Sequence, residues 1–148
     1  MSLQNIGALS QASCRFYRFA MQQVDDYNIR RIFQQRFDIY QQLLNLVVLK
    51  GAQPKVVDNP QVESTVDWFD AAQSSIQRFD NLIFLDLLEV QEGLALDTLK
   101  KSVKSTDTQE LSAQLAQFAA SLQVNRDDLA ALKAQYRHQQ GAFASFQS

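Results

Sequence analysis

Apolar side chains recur at steps of three and four through most of the chain, and the runs in which they do so predict where helices lie. Residues 3–23 and 27–50 each carry such a stripe and are separated by the short polar turn "QVDDYN", which predicts two antiparallel helices. In the second, Ile29, Tyr40, Leu43 and Val47 define the stripe. The pattern breaks at "KGAQPKVVDNPQ", residues 50–61, where both prolines of the chain fall. Gly51 is placed to end the second helix, Pro54 blocks its continuation, and Asn59-Pro60 reads as a cap followed by proline in a new first turn. A shorter amphipathic helix over about 61–79 follows, then a long one over about 81–103. "KSTDTQ" spaces Thr106 and Gln109 as a capping box, so a fourth long helix starts near 107 and runs to about 145. Its seam of Leu111, Leu115, Phe118, Leu122, Leu129, Leu132, Tyr136 and Phe143 advances by threes and fours or their sums, with Asn125 filling the gap. No stretch alternates with period two for long and no Asn-Gly or Asp-Gly turn occurs, so no strand is predicted. The expectation is an all-α chain, residues 1–148 forming one domain. Four long helices form a bundle, with a short extra helix in the crossover between the second and third.

Composition narrows the function. With 148 residues, 46% of them apolar, the chain can bury one substantial core. The net charge of −2 and the lack of a Lys/Arg cluster interleaved with aromatics leave no electrostatic footprint for nucleic acid. Charge is uneven: residues 1–57 hold seven Lys/Arg against three acids, and residues 58–148 hold seven against thirteen, which predicts that the two halves face each other. Cys14 has no second cysteine to pair with and no neighbouring His, as expected of a buried structural thiol in a reducing compartment. The longest apolar run, "LLNLVVL" at 43–49, is far short of the roughly 20 residues that cross a bilayer, and "MSLQNIGALSQ" lacks a basic leader region. A cytoplasmic protein without membrane insertion is expected.

The candidate chemistry lies in "LDLLEVQEGLALD", residues 85–97, where Asp86, Glu89 and Glu92 stand three apart. A helical wheel separates them. Glu92 falls in the apolar arc of Leu85, Leu88, Leu96 and Leu99, Glu89 lies at its edge, and Asp86 and Asp97 fall on the polar side. Asp97 is spaced to pair with Lys100 or Lys101. A carboxylate in an apolar arc needs a partner or a raised pKa. Arg36, in the middle of the second helix's stripe, is an equal anomaly of opposite sign. The two predict an interior ion pair between Arg36 and Glu92, with Glu89 beside it; the competing reading is that both side chains snorkel to the surface. In the paired case Glu92→Ala would strand Arg36 at a cost of roughly 3–5 kcal/mol.

"FQQRFDIYQQLLNLVVLKGAQP" and "DLLEVQEGLALDTLKKSV" resemble the second and third helices of a group of bacterial ferritin-like proteins, with an inward Arg, a Gly-containing turn to Pro and a Glu-x-x-Glu. The resemblance covers most of the chain but not the tail beyond about residue 135. It implies a ferritin-like four-helix bundle. Metal enzymes of that superfamily take a Glu from each of two helices and a Glu-x-x-His from each of the other two. This chain departs from the pattern: residues 1–24 contain no acid, and the second helix offers only Asp26 and Asp38, the latter opposite its stripe. The only histidine, His138, lies opposite the last helix's seam. No metal ligand, cofactor or catalytic residue is therefore assigned, and no nucleophile elbow or triad spacing is present. The expected function is a non-catalytic bundle with a degenerate metal site that binds a protein partner or forms a homodimer. Tyr136, Phe143 and Phe146 are its candidate interface residues. The alternative is an iron or manganese protein in which Glu89 and Glu92 meet ligands from another subunit. A third option is an anionic ligand held by Arg36.

Overall fold

In the computed structural model the described residues are 3–52, 58–75 and 81–147, the side chains of residues 74, 75 and 141–147 excepted. They form five helices and no strand: α1 (Leu3–Gln23), α2 (Tyr27–Leu49), α3 (Pro60–Ser75), α4 (Leu82–Ser105) and α5 (Gln109–Gln147). The chain is all-α, and among the described residues no helix is long and apolar enough to cross a membrane.

Side chains at the helix ends explain where the helices start and stop. Asp26 caps α2 by accepting from the Ile29 amide at 3.0 Å, and Asn81 caps α4 by accepting from Ile83 at 2.8 Å. At the far end of α2 the Lys50 amide turns back to Leu46, and Gly51 takes φ +81°, a left-handed conformation suited to glycine. Asn59 accepts from the amides of Gln61 and Val62, and Pro60 occupies the first turn of α3, as the spacing predicted. The start of α5 differs from expectation. Thr106 instead closes α4, its hydroxyl donating to the Ser102 carbonyl, and Thr108 accepts from the Leu111 amide. Two threonines two residues apart compete for one cap, and the later one leaves room for a full last turn of α4. The stretch 76–80, which ends the predicted short helix, lies outside the described residues.

The helices close a ring in the order α1, α2, α5, α4, α3, and α1 and α4 touch directly over only a short length. The third helix is thus part of the wall. It inserts Phe69, fully buried, with Val62, Thr65 and Ala72. Phe69 meets Phe16 and Tyr17, while Trp68 stacks on Phe84 of α4 at 5.9 Å. Such aromatic contacts add about 0.5–1.5 kcal/mol each beyond the area they bury. They hold α3 where a bundle of four long helices alone would leave the α1–α4 side open. The opposed charge of the two halves is used across this ring, as in the Arg15–Asp70 pair at 3.0 Å between α1 and α3.

Candidate functional site

Midway along the ring, side chains from α1, α2, α4 and α5 converge on Arg36. Its guanidinium has no solvent exposure. The Nε donates to Asn125 Oδ1 of α5 at 2.5 Å, and Nη1 donates to the Tyr17 hydroxyl of α1 at 3.1 Å. Nη2 stands 2.7 Å from Glu89 Oε1 of α4, a charge contact in which the N–H does not aim at the oxygen. Its planar group also lies over the Tyr17 ring, 5.9 Å from the centroid. Each of the three nitrogens is thereby directed to a different helix, a spread that the planar guanidinium provides and a single-centre ammonium does not.

Glu92 is 1% exposed and does not touch Arg36 directly. Tyr17 stands between them, donating to Glu92 Oε1, while Tyr40 donates to Oε2 at 2.5 Å. The ion pair made with Arg36 is Glu89's, and the Glu92 link is relayed through a phenol. The reason is steric: the Tyr17 hydroxyl occupies the space between the two charges, and the Tyr40 ring lies nearly parallel to that of Tyr17 at 6.3 Å. The expectation that Glu92→Ala would strand Arg36 changes accordingly. The loss would fall on two buried hydroxyls, while Arg36 would keep Glu89.

The outer shell closes the network. Asn125 donates to the Ile32 carbonyl at 3.1 Å and to Gln35 Oε1 at 3.2 Å, which fixes its amide so that its oxygen faces Arg36. Arg126, the next residue on α5, reaches Glu89 Oε2 at 3.2 Å and is partly exposed. Arg126 passes over Gly93, where an added Cβ would stand 3.4 Å from the guanidinium, about ordinary van der Waals contact. Two guanidiniums thus face two carboxylates, and the formal charge balances.

Burial sets the protonation. It raises Glu92 above the ordinary carboxylate value, while Arg36 and the two tyrosine hydroxyls pull the other way. Burial likewise pushes Tyr17 and Tyr40 far up, with Glu92 adding to the effect, so both keep their protons and donate. For Arg36, burial alone would favour losing the proton, but the facing Tyr17, Glu92 and Glu89 outweigh it and keep the guanidinium charged.

The donor set does not suit a metal ion. Among the described residues no three His, Cys, Asp or Glu side chains gather closely enough to hold one, and the centre holds a cationic side chain. Nor does the network contain an activated nucleophile. Cys14 is buried and pushed up to about 11 by that burial, which keeps it a thiol. His138 is exposed on α5.

The remaining sequence candidates separate. Asp86 is half exposed and pairs with Lys133 and Arg137, whose hydrogen bonds lower it below the usual aspartate value. Asp97 makes no ion pair among the described residues, so the expected pairing with Lys100 or Lys101 is not present. Asp26 and Asp38 act locally, Asp26 as a cap and Asp38 accepting from Gln34. Tyr136 donates to Asp26 at 2.6 Å, joining α5 to the start of α2. The side chains of Phe143 and Phe146 lie outside those described. Reading the sequence missed the parts played by Tyr17, Tyr40, Asn125 and Arg126. Tyr40 reads as part of an apolar stripe and Asn125 as the filler of a gap in a seam, although a buried hydroxyl or amide must find a partner. Arg126 carries no such signal.

No family model, curated protein or solved structure matches the chain.

Proposed function

We propose that this protein is a ferritin-like bundle without a metal centre, which acts by associating with another protein, in the simplest case a second copy of itself. One observation carries the reading: the point where four helices converge is taken by Arg36, and the carboxylate nearest to it, Glu89, is already engaged by two guanidiniums. A cation placed there would meet a fixed positive charge in a dry interior, where repulsion is weakly screened. The network serves to set helix register, the best-attested use of interior ion pairs, and leaves the outer surface to carry the activity.

Elemental analysis of the purified full chain, together with its mass in solution, tests this. The expected result is less than 0.1 equivalent (about one metal per ten chains) of iron, manganese or zinc. A stoichiometric metal would overturn the reading in favour of ligands completed across a subunit interface.

A further inference from the structure

We infer that the outward face of α4 is the contact surface for a second copy of this chain, two α4 helices packing antiparallel about a twofold axis. The inference rests on the self-association reading above and names its surface.

The observation is that α4 is apolar on both sides. Inward it presents Leu85, Leu88, Ala95, Leu96 and Leu99, all buried. Outward, Ile83 is 73% exposed, Leu87 54% and Val90 60%, with Leu94 half-buried on the same line. At about 100° per residue these four fall within roughly 60° of one another, opposite Glu92. A helix that is apolar on two opposite faces can bury each of them only with a neighbour on each side. The other exposed large apolar residues described, Phe19, Tyr27, Val48, Leu49 and Val124, form no comparable stripe on one helix.

Size and spacing select the occupant. The stripe spans twelve residues, roughly 17 Å from first to last, and leaves on the order of 300 Å² of apolar side chain in water on each copy. With its polar flanks it covers roughly 500–600 Å² per partner, the low end for specific interfaces, which suits a micromolar dimer. An axis between Leu87 and Val90 sets Ile83 against Leu94 of the other copy and Leu87 against its Val90, so every apolar residue of the stripe meets another. Antiparallel packing also sets the positive end of each helix macrodipole beside the negative end of the other.

Sedimentation velocity on the full chain over about 1–100 µM reads the association. The wild type is expected to dimerise, Leu87→Glu to weaken the dimer by at least about a hundredfold with helical content unchanged, and Leu49→Glu to leave it intact. Orientation is read by oxidative cross-linking. A chain carrying both Leu87→Cys and Val90→Cys is expected to form a covalent dimer, and Ile83→Cys alone is not. A wild type that stays monomeric at the top of the range overturns the inference, as does a dimer that survives Leu87→Glu or cross-links through Ile83→Cys. Failure of the underlying reading appears separately, as stoichiometric metal.

Discussion

On the inner side of α4, Glu92 and Glu89 sit among leucines and are held by two tyrosines and two arginines; on its outer side, Ile83, Leu87 and Val90 stand in water. The usual distribution of polar and apolar groups is partly reversed between the two faces of one helix. The inner polar groups cost desolvation and are stable only as a set, because removing one strands another. The outer apolar groups cost the folded chain little while it is alone, since no other group of the chain depends on them for a partner. The two faces therefore differ in what depends on them: the inner one governs whether the helices hold register, and the outer one governs what the folded unit can meet.

That contrast is tested first at its strongest point. Arg36→Met should cost about 3–5 kcal/mol in urea denaturation, since it removes the buried partner of Glu89, Asn125 and Tyr17 and the positive charge nearest Glu92. Tyr17→Phe should cost about 2–3 kcal/mol, because it removes both the acceptor for Arg36 and a donor to Glu92. The effect of pH is smaller and has a definite sign. With Glu92 raised above 4.5 in the folded protein, the folded state holds more protons than the unfolded one between those two values, so this group's contribution to stability declines as pH rises through that window. Its slope is at most about 1.4 kcal/mol per pH unit, and comparison of stability against pH in Glu92→Gln should show that component gone. Smallest of all, Leu87→Glu should change the stability of the separated chain by no more than about 0.5 kcal/mol. A Leu87→Glu cost equal to that of Arg36→Met would erase the distinction between the faces.

Sequence periodicity revealed the inner face better than the outer one. Arg36 and Glu92 were legible because a charge inside an apolar stripe breaks the pattern. Their geometry was not, because a wheel assigns a side chain to a face without saying which neighbour stands between two charges, and Tyr17 and Tyr40 look like core until their hydroxyls are followed. The outer stripe was hidden by its own inner face: once Leu85, Leu88, Leu96 and Leu99 defined the arc, Ile83, Leu87, Val90 and Leu94 fell outside it uncounted. The α1, α2 and α4 boundaries lay within two residues of the expected ones. The part played by α3 did not follow from its pattern, because an amphipathic stripe shows that a helix packs on something but not that it completes the ring between α1 and α4.

The aromatic seam of α3 supplies the molecule with a built-in optical probe. Trp68 is the only tryptophan in the chain, and it is held face to face with Phe84 and beside Phe16. Its emission maximum depends on the polarity around the indole, so departure of α3 from the α1–α4 side would move it to the red. Helical circular dichroism would instead follow all five helices together. The two signals, recorded on one unmodified sample, separate release of the short helix from collapse of the whole bundle.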